Sequence, residues 1–328
     1  MIKYRTFRNN DPPALAEIWR SHPPLRALVQ PMTAALLEQY VFAKPYFDAL
    51  GFFVAVEDDR AIGFAHAGFM PNDDGDELST DEGVVSLIMV VPHTQRSEIA
   101  KRLLRRCEEY LKQKGAHKVY AGGASGVGPF YLGLYGGCLL PGILSSDRTS
   151  IEQFEQSGFV ACRERAILHR QLTGFRPLVD RQQMQLRRGY NVEAEFDPKS
   201  DTWWNACTFG QTDQTCFHVI PRDGSKAVGR VNIWDMEPMS GCWGVQAVGI
   251  LELEIRQDVR RQGLATFLLG EAIRQLQTQR TNLIEAQVAV SDTAAIGLFR
   301  KLGFEEVERG VVFEKKLDRG KKIESDDC

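Results

Sequence analysis

The stretch GILELEIRQDVRRQGLATFLL, residues 249–269, decides the fold. It alternates apolar and acidic residues through Ile255, turns, and continues with apolar residues spaced as on one face of a helix. Gly263 lies where the start of a helix offers free backbone N–H groups and the positive end of the helix dipole. A glycine there lets a pyrophosphate approach closely, and Arg260 and Arg261 add positive charge. The sequence therefore predicts an anion site at this turn.

The chain contains an internal repeat. Residues 146–172 match residues 291–317 at a constant offset of 145 positions, and both segments end in a short alternating run typical of a strand. The apolar helical stripe of residues 99–111 matches residues 264–276 at an offset of 165. The first half therefore holds 20 extra residues, which include the glycine-rich run 122–137. We interpret that run as an inserted loop.

Each half has the same order of predicted elements. A strand, a helical region, a β-hairpin, a long strand, a helix, a strand, a helix and a closing strand follow one another, which favours a mixed α/β fold. The hairpin turns are expected at residues 57–60 and 222–225. The expected units are one domain over residues 1–172, a linker over 173–188, a second domain over 189–318 and a polar tail over 319–328.

Composition bounds the class of protein. The 328 residues suit two domains, and a formal net charge of -3 argues against nucleic acid as the main partner. No apolar stretch approaches the ~20 residues of a membrane-spanning helix. Seven cysteines without a CxxC pair, and an amino terminus without a secretory signal, predict a reduced, cytoplasmic protein. The six histidines lack zinc spacing, so we expect no metal.

The 249–269 stretch resembles the pyrophosphate-binding motif of the GNAT superfamily of acyl-CoA N-acyltransferases, (Q/R)-x-x-G-x-(G/A), at Arg260, Gly263 and Ala265. The family's later motif, N-x-x-A-x-x-(L)-(Y/F)-x-x-x-G-F, is similar to residues 292–304. The resemblance implies two tandem GNAT-like domains, each a mixed, mostly antiparallel sheet flanked by helices. It also implies a V-shaped opening between the strands at residues 249–255 and 283–290.

The resemblance further implies that acetyl-CoA or another acyl-CoA is the co-substrate and that pantetheine bonds to the backbone of the first of those strands. The implied cofactor-binding residues are Leu253, Ile255, Arg260, Arg261, Gln262, Gly263, Leu264, Ala265, Thr266, Asp292 and Phe299. Two of them depart from the family pattern. Asp292 replaces an asparagine, and Phe299 replaces the tyrosine that protonates the departing sulfur in many members.

The first half departs from the motif at its most sensitive position. Gln95-Arg96-Ser97-Glu98-Ile99-Ala100 places Glu98 where the glycine is needed. A carboxylate there would repel a pyrophosphate, and its side chain would block the approach. We therefore expect a degenerate, mainly structural first domain and an active second one.

The acyl transfer implied by the family is direct attack by a primary amine on the thioester. The backbone N–H of Ile255 or Leu253 would stabilise the developing oxyanion. A base is needed because an amine near pKa 10 is mostly protonated at neutral pH. Glu252 and Glu254, on one face of the strand, are the candidates; the alternative is that they are merely solvated or salt-bridged glutamates. The acceptor is a small molecule or a protein amino group.

Other readings stay open from sequence alone. The chain could be a non-catalytic CoA-binding or protein-interaction module, given Phe299 and the impaired first copy. Trp203 and Trp204 either line the acceptor pocket or pack in the core. Tyr131 and Tyr135 either line a ligand pocket or pack between the domains.

Overall fold

The computed structural model describes residues 1–123 and 130–317. The predicted polar tail, residues 319–328, and part of the glycine-rich run, residues 124–129, lie outside the described residues. Among the described residues, no helix combines the length and apolarity needed to cross a membrane. The helices are α1 (Pro12–Arg20), α2 (Ala34–Leu37), α3 (Arg96–Gln113), α4 (Arg148–Gln156), α5 (Arg181–Gly189), α6 (Trp203–Phe209), α7 (Glu237–Trp243), α8 (Leu264–Thr278) and α9 (Thr293–Lys301).

The strands form one continuous 13-stranded sheet. Those of the first half are β1 (Lys3–Thr6), β2 (Phe52–Glu57), β3 (Arg60–Pro71), β4 (Leu78–Val90), β5 (Lys118–Ala121), β6 (Ile143–Leu144) and β7 (Val160–Gln171). Those of the second half are β8 (Tyr190–Phe196), β9 (Gln214–Pro221), β10 (Gly229–Asp235), β11 (Ala247–Ile255), β12 (Leu283–Ala289) and β13 (Glu305–Lys316). The mixed α/β architecture and the repeated element order are confirmed.

The two halves exchange their closing strands. The strand order is β1-β2-β3-β4-β5-β13-β7-β12-β11-β10-β9-β8, with β6 paired to β13. β13, the last strand of the second half, pairs with β5 of the first half, and β7 pairs with β12 of the second half. Phe313 of β13 accordingly packs in the core of the first half, and Leu168 of β7 packs in the core of the second. Neither half completes its sheet alone.

The two faces of the sheet are covered differently. On one face each half has its own core, beneath α3 in the first half and beneath α8 in the second. On the other face a single core spans both halves and includes Trp19, Tyr131, Cys138, Trp204 and Trp234. We call this second face the shared face. Burial of these large side chains removes apolar surface from water and fixes the halves against each other.

The inserted segment lies within this shared core. Tyr131 and Tyr135 are buried, and the Tyr131 hydroxyl lies 3.1 Å from Nδ1 of His66. The Leu144 N–H donates to the Tyr135 hydroxyl at 2.9 Å. Trp204 is also buried and stacks on Tyr46 of the first half, with ring centroids 4.5 Å apart. Tyr131, Tyr135 and Trp204 therefore pack in the core that the halves share, whereas Trp203 is 38% exposed.

Candidate active site

A cleft opens where two parallel strands diverge. Within the described residues, β11 and β12 pair over three residues each: Ala247–Gly249 of β11 lie beside Leu283–Glu285 of β12. Beyond Gly249, β11 continues to Ile255 and β12 continues to Ala289. This is the V-shaped opening that the sequence resemblance implied.

Backbone groups of β11 point into this opening. The Arg256 N–H donates to the Val228 carbonyl beside β10 at 2.9 Å. Because backbone groups alternate along a strand, Glu254 and Glu252 also direct theirs towards β10, opposite Arg230 and Asn232. Leu253 and Ile255 therefore direct their N–H groups away from β10 and into the gap. The side chains of Leu253 and Ile255 pack in the core beneath α8, and a break in register at Leu251 places Ile250 in the same core.

The turn between β11 and α8 has the backbone of an anion site. Gly263 is the N-cap of α8 with φ +81°, and Arg261 has φ +63°. Left-handed residues in such a turn bring backbone N–H groups into a concavity, and the first N–H groups of the helix lack intrahelical acceptors. A non-glycine residue at positive φ is uncommon and marks a strained position. The turn therefore has a concave backbone at the start of α8.

The cleft has a volume of about 700 Å³ between β11, the start of α8 and α9. Nine of the residues predicted to bind the cofactor line it: Leu253, Ile255, Arg260, Arg261, Gly263, Leu264, Ala265, Thr266 and Asp292. Two others do not. Gln262 is absent from the lining, and Phe299 is buried in the core against Phe304, with ring centroids 5.0 Å apart.

Two polar side chains in the cleft are already engaged. Arg260 Nε donates to the Ile255 carbonyl at 2.7 Å, which ties the turn to the end of β11. The Asp292 carboxylate accepts from the Ala295 N–H at 2.9 Å and caps α9. Both therefore shape the backbone of the cleft, and the cationic side chains of Arg261 and Lys301 also line it.

The linker contributes a residue that sequence reasoning missed. α5 packs against the start of α8, where Gln183 Nε2 donates to the Gly263 carbonyl at 3.4 Å and Gln182 lines the cleft. A signal for this helix was present in the sequence. Asp180 accepts from the Gln183 N–H at 2.7 Å, and an Asp followed three residues later by Gln is a capping pattern.

Glu252 and Glu254 lie on the shared face, opposite the side chains that face α8. Their carboxylates are 48% and 55% exposed and lie 3.2 and 3.4 Å from the Arg230 guanidinium. Asp201 lies 3.6 Å from the same guanidinium. Exposed ion pairs of this kind contribute little to stability, about 0–1 kcal/mol. The two glutamates are therefore accessible and paired with Arg230 of β10, and neither is among the residues that line the cleft.

The equivalent position in the first half has a different backbone. In the internal repeat, Leu264, the first residue of α8, matches Ile99. α3 begins three residues earlier, at Arg96, so Glu98 lies inside the first helical turn. The Ile99 N–H donates to the Gln95 carbonyl at 2.9 Å and is not available to a ligand. The described residues 91–100 contain no left-handed residue. The nest of N–H groups is missing here.

The first-half cleft is also smaller, at about 200 Å³. His22 and Arg96 line it, and burial lowers the pKa of His22 to about 4, with Arg96 adding to the effect. Glu98 itself points outward and pairs with Arg102 at 2.8 Å. In the described residues of the first half, the equivalent cleft is therefore smaller and no left-handed turn borders it.

Comparison with known proteins decides the family. The model of the acetyltransferase (GNAT) family matches residues 14–129 and 180–304, one match in each half. The chain belongs to the GNAT family. No curated protein matches the chain. The two matches of the GNAT model agree with the internal repeat and with the tandem arrangement expected from it.

Solved GNAT structures share this tandem fold. A tandem GNAT protein from the clavulanic acid biosynthesis pathway has a TM-score of 0.66 at 12% identity, covering 96% of this chain and 98% of that one. A GCN5-related N-acetyltransferase from Sphaerobacter thermophilus has a TM-score of 0.61 at 15% identity, covering 96% and 95%. The glucosamine N-acetyltransferase region of a fungal β-N-acetylglucosaminidase has a TM-score of 0.71 at 13% identity, covering 96% and 38%. These TM-scores establish a common fold.

Proposed function

We propose that this chain is an N-acyltransferase whose second half transfers an acetyl group from acetyl-CoA to a primary amine. The observation that carries the proposal is the left-handed turn at Arg261 and Gly263, at the open end of the V between β11 and β12. Membership of the GNAT family supports acyl transfer from an acyl-CoA. The first half, where the same turn is helical, has a structural role.

The cleft residues fit the parts of acyl-CoA. The N–H groups around Gly263 and the Arg261 and Lys301 side chains would hold its phosphates. The N–H groups of Leu253 and Ile255 face the gap and would hold pantetheine and the thioester carbonyl. Glycine is needed at position 263, because φ is +81° and an added Cβ would lie only 3.0–3.2 Å from side-chain atoms of Gln182 and Gln183.

The chemistry follows from what these groups can do. An N–H of Leu253 or Ile255 stabilises the charge that develops on the thioester oxygen as the amine attacks. Glu252 or Glu254 removes the proton from the ammonium group, and either is accessible from solvent. Phe299 supplies no proton to the departing sulfur. A thiol has a pKa near 8.5, so the thiolate leaves at modest cost without that proton.

The proposal also covers the domain units, the acceptor and the location of the chain. The proposed units are residues 1–172 and 189–318, and the linker between them, 173–188, contains most of α5 and adds Gln182 to the cleft. The acceptor is a small molecule or a protein amino group, with neither a nucleic acid nor a membrane as partner. The proposed transfer uses no metal, because backbone N–H groups hold the charge that develops on the thioester oxygen. A reducing, cytoplasmic location is supported by the six free cysteines of the described chain.

The test compares the unmodified chain with Gly263→Glu, which copies the first half's Glu98. Calorimetry with acetyl-CoA is expected to show one site per chain, and the variant should bind at least about 30-fold more weakly, because a carboxylate and a strained φ enter the phosphate cradle. The matched control is Glu98→Gly, which should leave affinity and stoichiometry unchanged. Release of free thiol across a panel of amines then measures turnover.

Three outcomes would count against the proposal. Absence of acetyl-CoA binding, or equal binding by Gly263→Glu, removes the cofactor site from the second half. Tight binding without turnover on any amine identifies a non-catalytic CoA-binding module instead.

A further inference from the structure

The first half's inserted segment lies directly on the second half's diverging strands. We call residues 133–140 the plug. At Gly249, the last residue of β11 that pairs with β12, an added Cβ would lie 2.2 Å from Cβ of Cys138. At Gly133 of the plug, an added Cβ would lie 2.7 Å from a ring carbon of Trp234 on β10. The plug therefore touches the shared face of these strands with no space between.

Hydrogen bonds with two strands, β10 and β12, fix the plug in place. The Cys138 N–H donates to Glu285 on β12 at 2.6 Å, and Trp234 Nε1 donates to the Cys138 carbonyl at 3.2 Å. Gln287 Nε2 donates to the carbonyls of Gly136 at 2.7 Å and Leu139 at 3.2 Å. All of these bonds are buried, so displacing the plug would leave polar groups without partners.

Glu285 is itself anchored. Its side chain is fully buried, and its second oxygen lies 2.8 Å from Nε2 of His169 on β7. Arg26 lies 3.0 Å from Nδ1 of that histidine, and because a guanidinium only donates, Nδ1 is the acceptor and Nε2 carries the proton. The carboxylate thus accepts from two elements of the first half and holds the plug against β12.

The position of the plug matters for the acyl group. If the N–H of Leu253 or Ile255 holds the thioester carbonyl, the alkyl chain continues away from the phosphate turn, towards Gly249. There the strands close to the ~4.8 Å spacing of paired strands, which leaves no room for a chain between them. A longer chain has to leave the gap through the shared face, where Gln287 and Cys138 lie.

We propose that the plug closes the acyl end of the cleft and restricts the second half to short acyl groups, acetyl or propionyl. This inference rests on the proposed function. The first half then takes part in the reaction, because its plug forms the wall that limits the length of the acyl group. Gln287 is the specificity-determining residue, because it both occupies the diverging part of β12 and ties down the plug.

The test measures affinities of the full chain for acetyl-, butyryl- and hexanoyl-CoA by calorimetry, together with kcat/KM for each. The unmodified chain should bind hexanoyl-CoA at least about 10-fold more weakly than acetyl-CoA. A loss of about 10-fold is the smallest effect expected when even one methylene group does not fit a pocket. Gln287→Ala should reduce that ratio to below about 3-fold, because it opens the wall and frees the plug. The matched control, Gln275→Ala, removes the same side chain from α8, where it bonds the Val192 carbonyl, and should keep the ratio.

A second variant covers the case in which Gln287→Ala does not fold. Cys138→Ala removes only the sulfur that lies 3.6 Å from the Ile250 carbonyl, and should extend tolerance to butyryl-CoA. Equal binding of acetyl- and hexanoyl-CoA by the unmodified chain overturns the inference while leaving the proposed function intact. An unchanged ratio in a folded Gln287→Ala also overturns it. Failure of every CoA thioester to bind would instead refute the proposed function.

Discussion

Arg260 and Ile255 are joined by a hydrogen bond from Nε to the carbonyl oxygen at 2.7 Å, across the turn between β11 and α8. The arginine of the family motif is thus used to close the turn in this chain. Its Nε donates to the Ile255 carbonyl, which has no strand partner because β12 has diverged from β11 at this point. The position of Gly263 relative to β11 depends on this bond.

Replacing Arg260 by leucine should weaken acetyl-CoA binding by about 10-fold, because loss of one charged hydrogen bond costs ~1.5–3 kcal/mol and loosens the turn. The measurement is calorimetric affinity. Arg256→Leu is the matched control: it removes the same charge from the same turn, but Arg256 pairs only with exposed Asp258. Equal weakening in both variants would show that Arg260 acts through charge alone.

Glu252→Gln and Glu254→Gln should separate the base from its neighbour. Loss of the base is expected to lower kcat/KM at neutral pH by ~10²–10⁴-fold, and loss of the other glutamate by less than about 5-fold. Both variants should melt within about 2 °C of the unmodified chain, since exposed ion pairs stabilise little. Acetyl-CoA affinity should not change. Full activity in both variants would exclude either glutamate as the base.

Two buried histidines should make the fold sensitive to acid. Burial lowers the pKa of His66 to about 3 and that of His22 to about 4, so both are neutral in the folded chain near neutral pH. The unfolded chain binds protons first, near pH 6.5. Stability is therefore fully present above pH 6.5 and is lost as the pH falls towards 4, at up to about 1.4 kcal/mol per pH unit for each histidine.

Urea unfolding at several pH values between 7 and 4 measures this loss. His66→Asn should flatten the dependence, since asparagine keeps a polar group near the Tyr131 hydroxyl without titrating. His218→Asn is the control, because His218 is partly exposed beside Glu195. A slope unchanged by His66→Asn would mean that other groups dominate the acid transition.

Neither half should fold alone. In a fragment of residues 1–172, the edge of β5 would lack its partner β13. In a fragment of residues 173–328, the edge of β12 would lack its partner β7. Unpaired edges of this kind expose backbone groups and aggregate. Each half made separately should be insoluble, whereas the two made together should associate into a soluble complex. Circular dichroism and gel filtration distinguish these outcomes, and a folded, monomeric half would contradict the exchange of strands.

Local patterns were enough to predict the elements at the cofactor turn. Alternation identified β11, the apolar stripe identified α8, and Gly263 marked the boundary between them, because each signal depends on neighbours within a few positions. The same reasoning overlooked α5. The sequence pattern predicts a linker over most of these residues, and the contact of α5 with Gly263 joins segments about 80 positions apart. Phe299 was expected near the cofactor, and the structure places it in the core beside Phe304.

The sequence by itself determined the α/β class, the repeat, and which half keeps an unobstructed glycine at the head of its helix, because these depend on spacing and residue type along the chain. Only the tertiary structure decided that the halves exchange β7 and β13, and that the first half's plug lies against the second half's β12. Strand partners and buried hydrogen bonds join residues far apart in the chain, and a periodic pattern specifies a buried face without specifying what covers it.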